Sequence, residues 1–299
     1  MSSIAITPDQ VQPEPMTVRL RARFADARTA WAGTLTDPSL RRAQLSFLMI
    51  CGAEWAFMVA LSVVAFADGG AGAVALVTTL VLVPAALLAP VAATLADRFP
   101  RDRILIVTGL VCTCASAAVA AAVALDAGPV WTYGPAVLMV AAYTVVRPAH
   151  TALLPSLCQT PRQLTGAAVV RGMMDSLATL SGPAVAAAIL ALAGSQAVFA
   201  GVAVAAAVSA LLMARVSYEH PARDAAARRR IAREAIEGFA ALADHRDAVY
   251  IVGIALAQTF TRGCLGVLTV IMAIDLLGSG EAGVGVLTSA IGAGAIVGS

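Results

Sequence analysis

The chain has 299 residues, of which 60% are hydrophobic and only 13% charged, with a mean hydropathy of +0.84. Soluble domains carry about 25% charged residues, and a soluble core does not require repeated apolar runs of ~20 residues, whereas a bilayer does. A formal net charge of +2 is too small to suggest nucleic acid as a partner, so the expected fold class is an all-α polytopic membrane protein whose first partner is the lipid bilayer.

All 20 basic residues are arginine, which reads as codon bias. Residues 1–43 form a polar arm with Arg19, Arg21, Arg23, Arg28, Arg41 and Arg42. The apolar run after it is too long for a signal-peptide core and is followed by others, so it is expected to stay in the membrane. In chain order the apolar runs are span 1 (45–66), span 2 (71–95), span 3 (104–125), span 4 (131–153), span 5 (165–193), span 6 (197–216) and span 7 (248–277). Span 8 starts near 283 and runs to the last residue.

The connections ADGGAG (67–72), LDAGPVW (125–131), AGSQ (193–196) and GSGEAG (278–283) contain no arginine, whereas the alternate connections hold nearly all of it. Under the positive-inside rule the arginine side is cytoplasmic, which puts the N terminus inside, with the plasma membrane as expected location. Domain boundaries follow: the arm 1–43, a six-span bundle 44–216, a connector 217–247 and a second series 248–299. Within the connector, Ile231, Ala235, Phe239 and Leu242 recur at helical spacing opposite charged residues, so an amphipathic interfacial helix is expected.

An ionisable group inside a span costs about 2.5–3.5 kcal/mol on insertion scales, so each needs a reason. Glu54 lies near the middle of span 1 with no basic residue within a helical turn, as a proton-coupling group or a counter-ion for a cationic substrate would. Arg147 ends the apolar part of span 4, with Pro148 behind it and His150 one turn on; His150 is expected at the interface. Arg171 and Asp175 stand four apart in span 5 and can pair on one face, and Asp175 could exchange a proton if that pair opened. Arg262 in span 7 needs a partner from another helix. Asp68, Asp126 and Asp275 lie near span ends as solvated caps. In the connection after span 2, Asp97 can cap span 3 or pair with a guanidinium. Trp55, Phe57, Tyr143 and Phe260 could line a cavity for an amphipathic organic compound.

Several classes lack their motifs. No GxxxxGK[ST] loop supports a nucleotide-driven pump, and no HExxH or comparable cluster supports an intramembrane protease. Cysteines 51, 112, 114, 158 and 264 suggest no disulfide framework, and Cys112 and Cys114 have no neighbouring ligand to complete a metal site. No cofactor, metal or catalytic residue is expected.

The run ATLADRFPRDRIL (93–105) carries the informative pattern. Leu95, Ala96, Asp97, Arg98, Arg101 and Leu105 match the loop signature of the major facilitator superfamily, with Ala93 and Pro100 in place of its glycines. The stretch VVRPAHTALLP resembles the span 4 signature of its drug-efflux-like members. SLATLSGPAVAAAIL (176–190) resembles their span 5 antiporter signature through Gly182 and Pro183, with alanines in place of other glycines.

This resemblance covers about residues 40–299. It implies a two-halved secondary transporter working by alternating access, with Asp97, Arg98 and Arg101 latching the halves at the cytoplasmic face. It implies an Arg147 linked to proton transfer, a helix bent at Gly182–Pro183, and spans 1 and 7 facing each other across a cavity. That last point makes Arg262 a candidate partner for Glu54. The family has two six-span halves, so the chain is expected to be a first half plus about two spans of the second. The expected function is proton-coupled export of small organic molecules, cationic or amphipathic. The alternative is a regulatory or assembly membrane protein derived from a shortened transporter.

Overall fold

The computed structural model describes residues 36–216 and 246–298. The amphipathic connector and most of the arginine-bearing arm lie outside them. Six helices make up the described chain: α1 (Pro38–Arg98), α2 (Arg101–Ala124), α3 (Pro129–Leu157), α4 (Pro161–Ala214), α5 (Arg246–Ile271) and α6 (Gly280–Gly298), with a π-helical turn at Met272–Leu276 continuing α5. Five of the helices are long and apolar enough to cross a membrane.

Two of these helices are each two spans folded at a glycine. α1 has 61 residues, roughly 90 Å of helix against a hydrocarbon core of about 30 Å. It breaks at Gly69 and Gly70, and Gly70 adopts φ 64°, ψ −156°, a conformation that a side chain would resist. Beyond the break the chain runs back along itself, so Met58 and Ser62 share a cavity wall with Leu82 and Thr78. α4, with 54 residues, breaks in the same way at Gly194 (φ 79°), and Ile189 then packs near Gly201. Spans 1 and 2 are therefore the limbs of α1, and spans 5 and 6 those of α4. The arginine-free turns at 125–128 and 277–279 contain Gly128 and Gly278, again at positive φ.

Helix ends shift the expected boundaries at two places. Span 1 begins at Pro38, inside the expected arm, because Asp37 caps it: the Ser39 and Leu40 amides donate to Asp37 Oδ1 at 2.8 and 3.1 Å. Leu40, Ala43 and Gln44 then face the core while Arg41 is exposed. Span 2 stays helical through Asp97 and Arg98, so these two end one helix, Arg101 and Asp102 open the next, and the reversal is only Phe99–Pro100. Pro100 is the N-cap of α2; the side chain of Asp97, the expected cap, lies outside the described residues.

Small residues and neutral hydrogen bonds set the packing. A Cβ on Gly182 would lie 2.6 Å from the Gly52 carbonyl oxygen and 2.7 Å from Trp55 Cβ, so spans 5 and 1 cross in backbone contact. The Ser46 and Ser209 hydroxyls meet at 2.8 Å between spans 1 and 6, and Ser116 Oγ donates to the Phe199 carbonyl at 2.8 Å between spans 3 and 6. Gln44 Nε2 donates to the Ala167 carbonyl at 2.8 Å between spans 1 and 5. Span 8 lies on span 5, where a Cβ on Gly285 would meet the Pro183 carbonyl at 2.6 Å and one on Gly292 the Thr179 carbonyl at 2.9 Å.

Candidate functional site

Three charged side chains from three spans meet at mid-depth. Glu54 lies roughly 24 Å along span 1 from Pro38, near the helix midpoint. Arg147 comes from span 4 and Asp175 from span 5. Arg147 Nη1 donates to Asp175 Oδ1 at 2.5 Å, and its Nη2 lies 3.5 Å from Glu54 Oε2. One guanidinium thus stands between two carboxylates, held more closely by one than by the other. The side chains are 33–39% exposed, which leaves them reachable from a cavity rather than sealed in the bundle.

One pairing expected from the sequence does not form. Asp175 takes Arg147 from span 4 and not Arg171 from its own helix. Arg171 instead lays its guanidinium over the Phe47 ring, 4.9 Å from the centroid, and its Nε has no hydrogen-bond partner. An aromatic face on span 1 competes for the cation, and helical spacing cannot register it. Glu54 has Arg147 beside it; the other expected partner, Arg262, is on α5 and its side chain lies outside the described residues.

His150, near the same end of span 4, packs inside the bundle against span 1. It is buried at 1% exposure, its ring centre 4.5 Å from that of Phe47, with Nε2 hydrogen-bonded to the Ala43 carbonyl at 3.2 Å. Phe47 therefore carries His150 against it and Arg171 over its ring. Neither contact has a sequence signal, because each depends on how spans 4 and 5 rotate against span 1.

A cavity of about 290 Å³ opens beside the cluster, close to the lower end of the range for small-molecule sites. Glu54 is on its wall with Trp55, Phe57, Met58 and Tyr143, and span 7 faces them through Thr259, Gly263 and Val267. Spans 1 and 7 do confront each other across it. Three of the four expected aromatics line it; Phe260 is 75% exposed and is not among the lining residues.

The motif residues are placed as follows. Asp97 and Arg98 end α1, their side chains outside the described residues. Arg101 opens α2 and donates from Nη1 to Ser156 Oγ at 3.1 Å, tying the span 2–3 turn to the end of span 4. Gly182 and Pro183 keep helical φ/ψ, the one non-helical residue in α4 being Gly194, and they pack span 5 against span 1 on one side and span 8 on the other. At the arginine-free end, Asp68 accepts a hydrogen bond from the Tyr133 hydroxyl at 2.5 Å and so is not merely solvated. Asp68, Asp126 and Glu281 line a second cavity of about 420 Å³ there, while Asp275 is exposed.

Among the described residues no cysteine is bonded and no group of His, Cys, Asp and Glu could hold a metal. At the turn after span 4, burial and the nearby Asp37 carboxylate push the Cys158 thiol above its usual range.

No curated protein matches the chain. The model of the Major Facilitator Superfamily matches residues 45–299. That match agrees with the helical bundle, its glycine-folded spans and the cavity between spans 1 and 7. The chain belongs to the major facilitator superfamily of membrane transporters.

Proposed function

We propose that the protein is a proton-coupled secondary transporter that exports small organic molecules, cationic or amphipathic, across the plasma membrane with its N terminus in the cytoplasm. The observation that carries this reading is Arg147 standing between Glu54 and Asp175 at mid-depth beside an apolar cavity. A single guanidinium cannot compensate two carboxylates equally well. Protonating Glu54 leaves Arg147 to Asp175, and deprotonating it draws Arg147 back, so proton occupancy becomes helix position. Because the three groups sit on three spans, that shift moves spans 1, 4 and 5 against one another.

The rest of the site fits the same reading. Aromatic and aliphatic walls suit an amphipathic body, and the Glu54 carboxylate suits a cationic head. Gly182 and Pro183 set span 5 against both span 1 and span 8, where motion of one half reaches the other. Asp97, Arg98 and Arg101 would latch the halves at the arginine-rich face in the closed state.

The test is efflux from vesicles carrying the full-length protein under an imposed pH gradient, with a panel of fluorescent lipophilic cations as probes. Glu54→Gln should insert normally and abolish the gradient-dependent part of efflux. Gradient dependence equal to that of the wild type would remove Glu54 from the mechanism.

A further inference from the structure

The cluster holds a fourth charge that the mechanism above does not use. Arg171 is four residues before Asp175 on the same span, within reach of it, yet forms no ion pair among the described residues. Its guanidinium lies over Phe47 at 4.9 Å and its Nε is buried without a hydrogen-bond partner. An arginine before its carboxylate is the less favourable order for such a pair, which suits an occasional partner better than a permanent one.

The distances identify which arrangement is present. Arg147 is 2.5 Å from Asp175 and 3.5 Å from Glu54, while Arg171 is off Asp175 altogether. When Arg147 moves onto Glu54, Asp175 loses its cation at membrane depth. It must then take a proton or another cation, because a lone carboxylate there is costly. Ionisable neighbours are few. Span 1 brings Glu54 and Cys51, span 3 Cys112, and span 4 Tyr143, Arg147 and His150. Spans 2 and 8 have no ionisable residue at this depth. Span 7 carries Arg262, whose side chain lies outside the described residues; among the described side chains the available cation is Arg171.

Resting on the reading of Glu54 as the proton carrier, we infer that Arg171 is the reserve counter-ion of Asp175: it leaves the Phe47 ring for Asp175 when Arg147 swings to Glu54, and so limits the cluster to one exchangeable proton. The Glu54 proton leaves its carboxyl oxygen for water in the adjacent cavity. The new carboxylate draws Arg147, and Arg171 takes the vacated Asp175. The cluster goes from one net positive charge to none, which balances the single proton released. Arg171 is a positioning residue here, acting through Asp175.

Infrared difference spectra of the full-length protein in lipid nanodiscs, stepped across pH, count the carboxyl groups that exchange a proton. No substrate is needed, so the result is independent of the efflux assay. In the wild type one intramembrane carboxyl should titrate, and Glu54→Gln should remove it. In Arg171→Gln a second should appear, which the added Asp175→Asn removes, while Arg171→Lys should return the count to one. A single titrating group in Arg171→Gln overturns the inference. So does a wild-type band that survives Glu54→Gln, and that result also counts against Glu54 as proton carrier, which a normal count with a normal Arg171→Gln would not. Should Arg171→Gln fail to accumulate, Phe47→Leu decides: without its resting ring Arg171 should favour Asp175, and Glu54 should titrate at lower pH than in the wild type. An unshifted titration overturns the inference.

Discussion

Two kinds of polar contact hold the spans together, and they differ in what they allow. The neutral clasps, Ser46 with Ser209, Ser116 with the Phe199 carbonyl and Gln44 with the Ala167 carbonyl, are buried and made between uncharged donors and acceptors; where a clasp has more than one bond, as between Ser46 and Ser209, all join the same two spans. The charged cluster, about two to three turns further along span 1 from Ser46 and Gln44, is a third or more exposed, and its central guanidinium has two claimants. Paired and dry contacts fix one arrangement of helices. A shared charge beside a cavity permits two of similar energy, and transport needs two. The same bundle uses the first kind to define its packing and the second to change it.

The largest expected effect comes from attacking the fixed packing. Gly182→Val would press a side chain into the Gly52 carbonyl and Trp55 Cβ, neither of which can swing away. Overpacking of this kind costs about 1–3 kcal/mol in ordinary cores and more where backbone is the obstacle. The variant should fail to accumulate in membranes, as seen by quantitative immunoblotting, and normal yield would mean that spans 1 and 5 are not in backbone contact. Next comes Arg147→Gln, which leaves two carboxylates without their cation. A fully buried broken pair costs about 3–5 kcal/mol; exposure of a third or more lowers this to about 1–3 kcal/mol. The protein should fold with a reduced melting temperature and lose all gradient-driven efflux. Retained efflux would separate the cluster from transport.

The smallest effect should be Ser46→Ala. Interhelical hydrogen bonds in membranes are worth on average about 0.6 kcal/mol. Thermal stability should fall slightly while efflux stays unchanged, and a transport defect here would erase the distinction between fixed and movable contacts.

Much of the fold was legible in the sequence because its signals are local. Apolar runs gave the spans, and the glycines of ADGGAG and AGSQ marked the reversals at Gly70 and Gly194. The early start of span 1 was also written locally, as Asp37 followed by Pro38, an N-cap ahead of a first-turn proline; the charges of Arg41 and Arg42 hid it by breaking the apolar run. Glu54, Arg147 and Asp175 each stood out as a charge at membrane depth, yet their grouping did not. Spacing along one helix suggested Arg171 for Asp175, and the family resemblance suggested, for Glu54, Arg262, whose own side chain lies outside the described residues. Among the described side chains Arg147 pairs with both, because rotation of spans 1, 4 and 5 decides who faces whom, and that rotation is set by contacts such as Gly182 on Gly52 and Gln44 on Ala167. The burial of His150 against Phe47 is illegible for the same reason.

The central claim is that Arg147 is the shared partner of Glu54, and a double-mutant cycle tests it most directly. Thermal stability of Glu54→Gln, Arg147→Gln and the double variant, measured in one lipid composition, gives their coupling. Residues that share a partner should couple by more than about 0.5 kcal/mol, so the double variant should be less impaired than the sum of the single ones. The same cycle with Arg262→Gln should be additive. Additivity for Glu54 with Arg147, together with coupling of Glu54 to Arg262, would contradict the account.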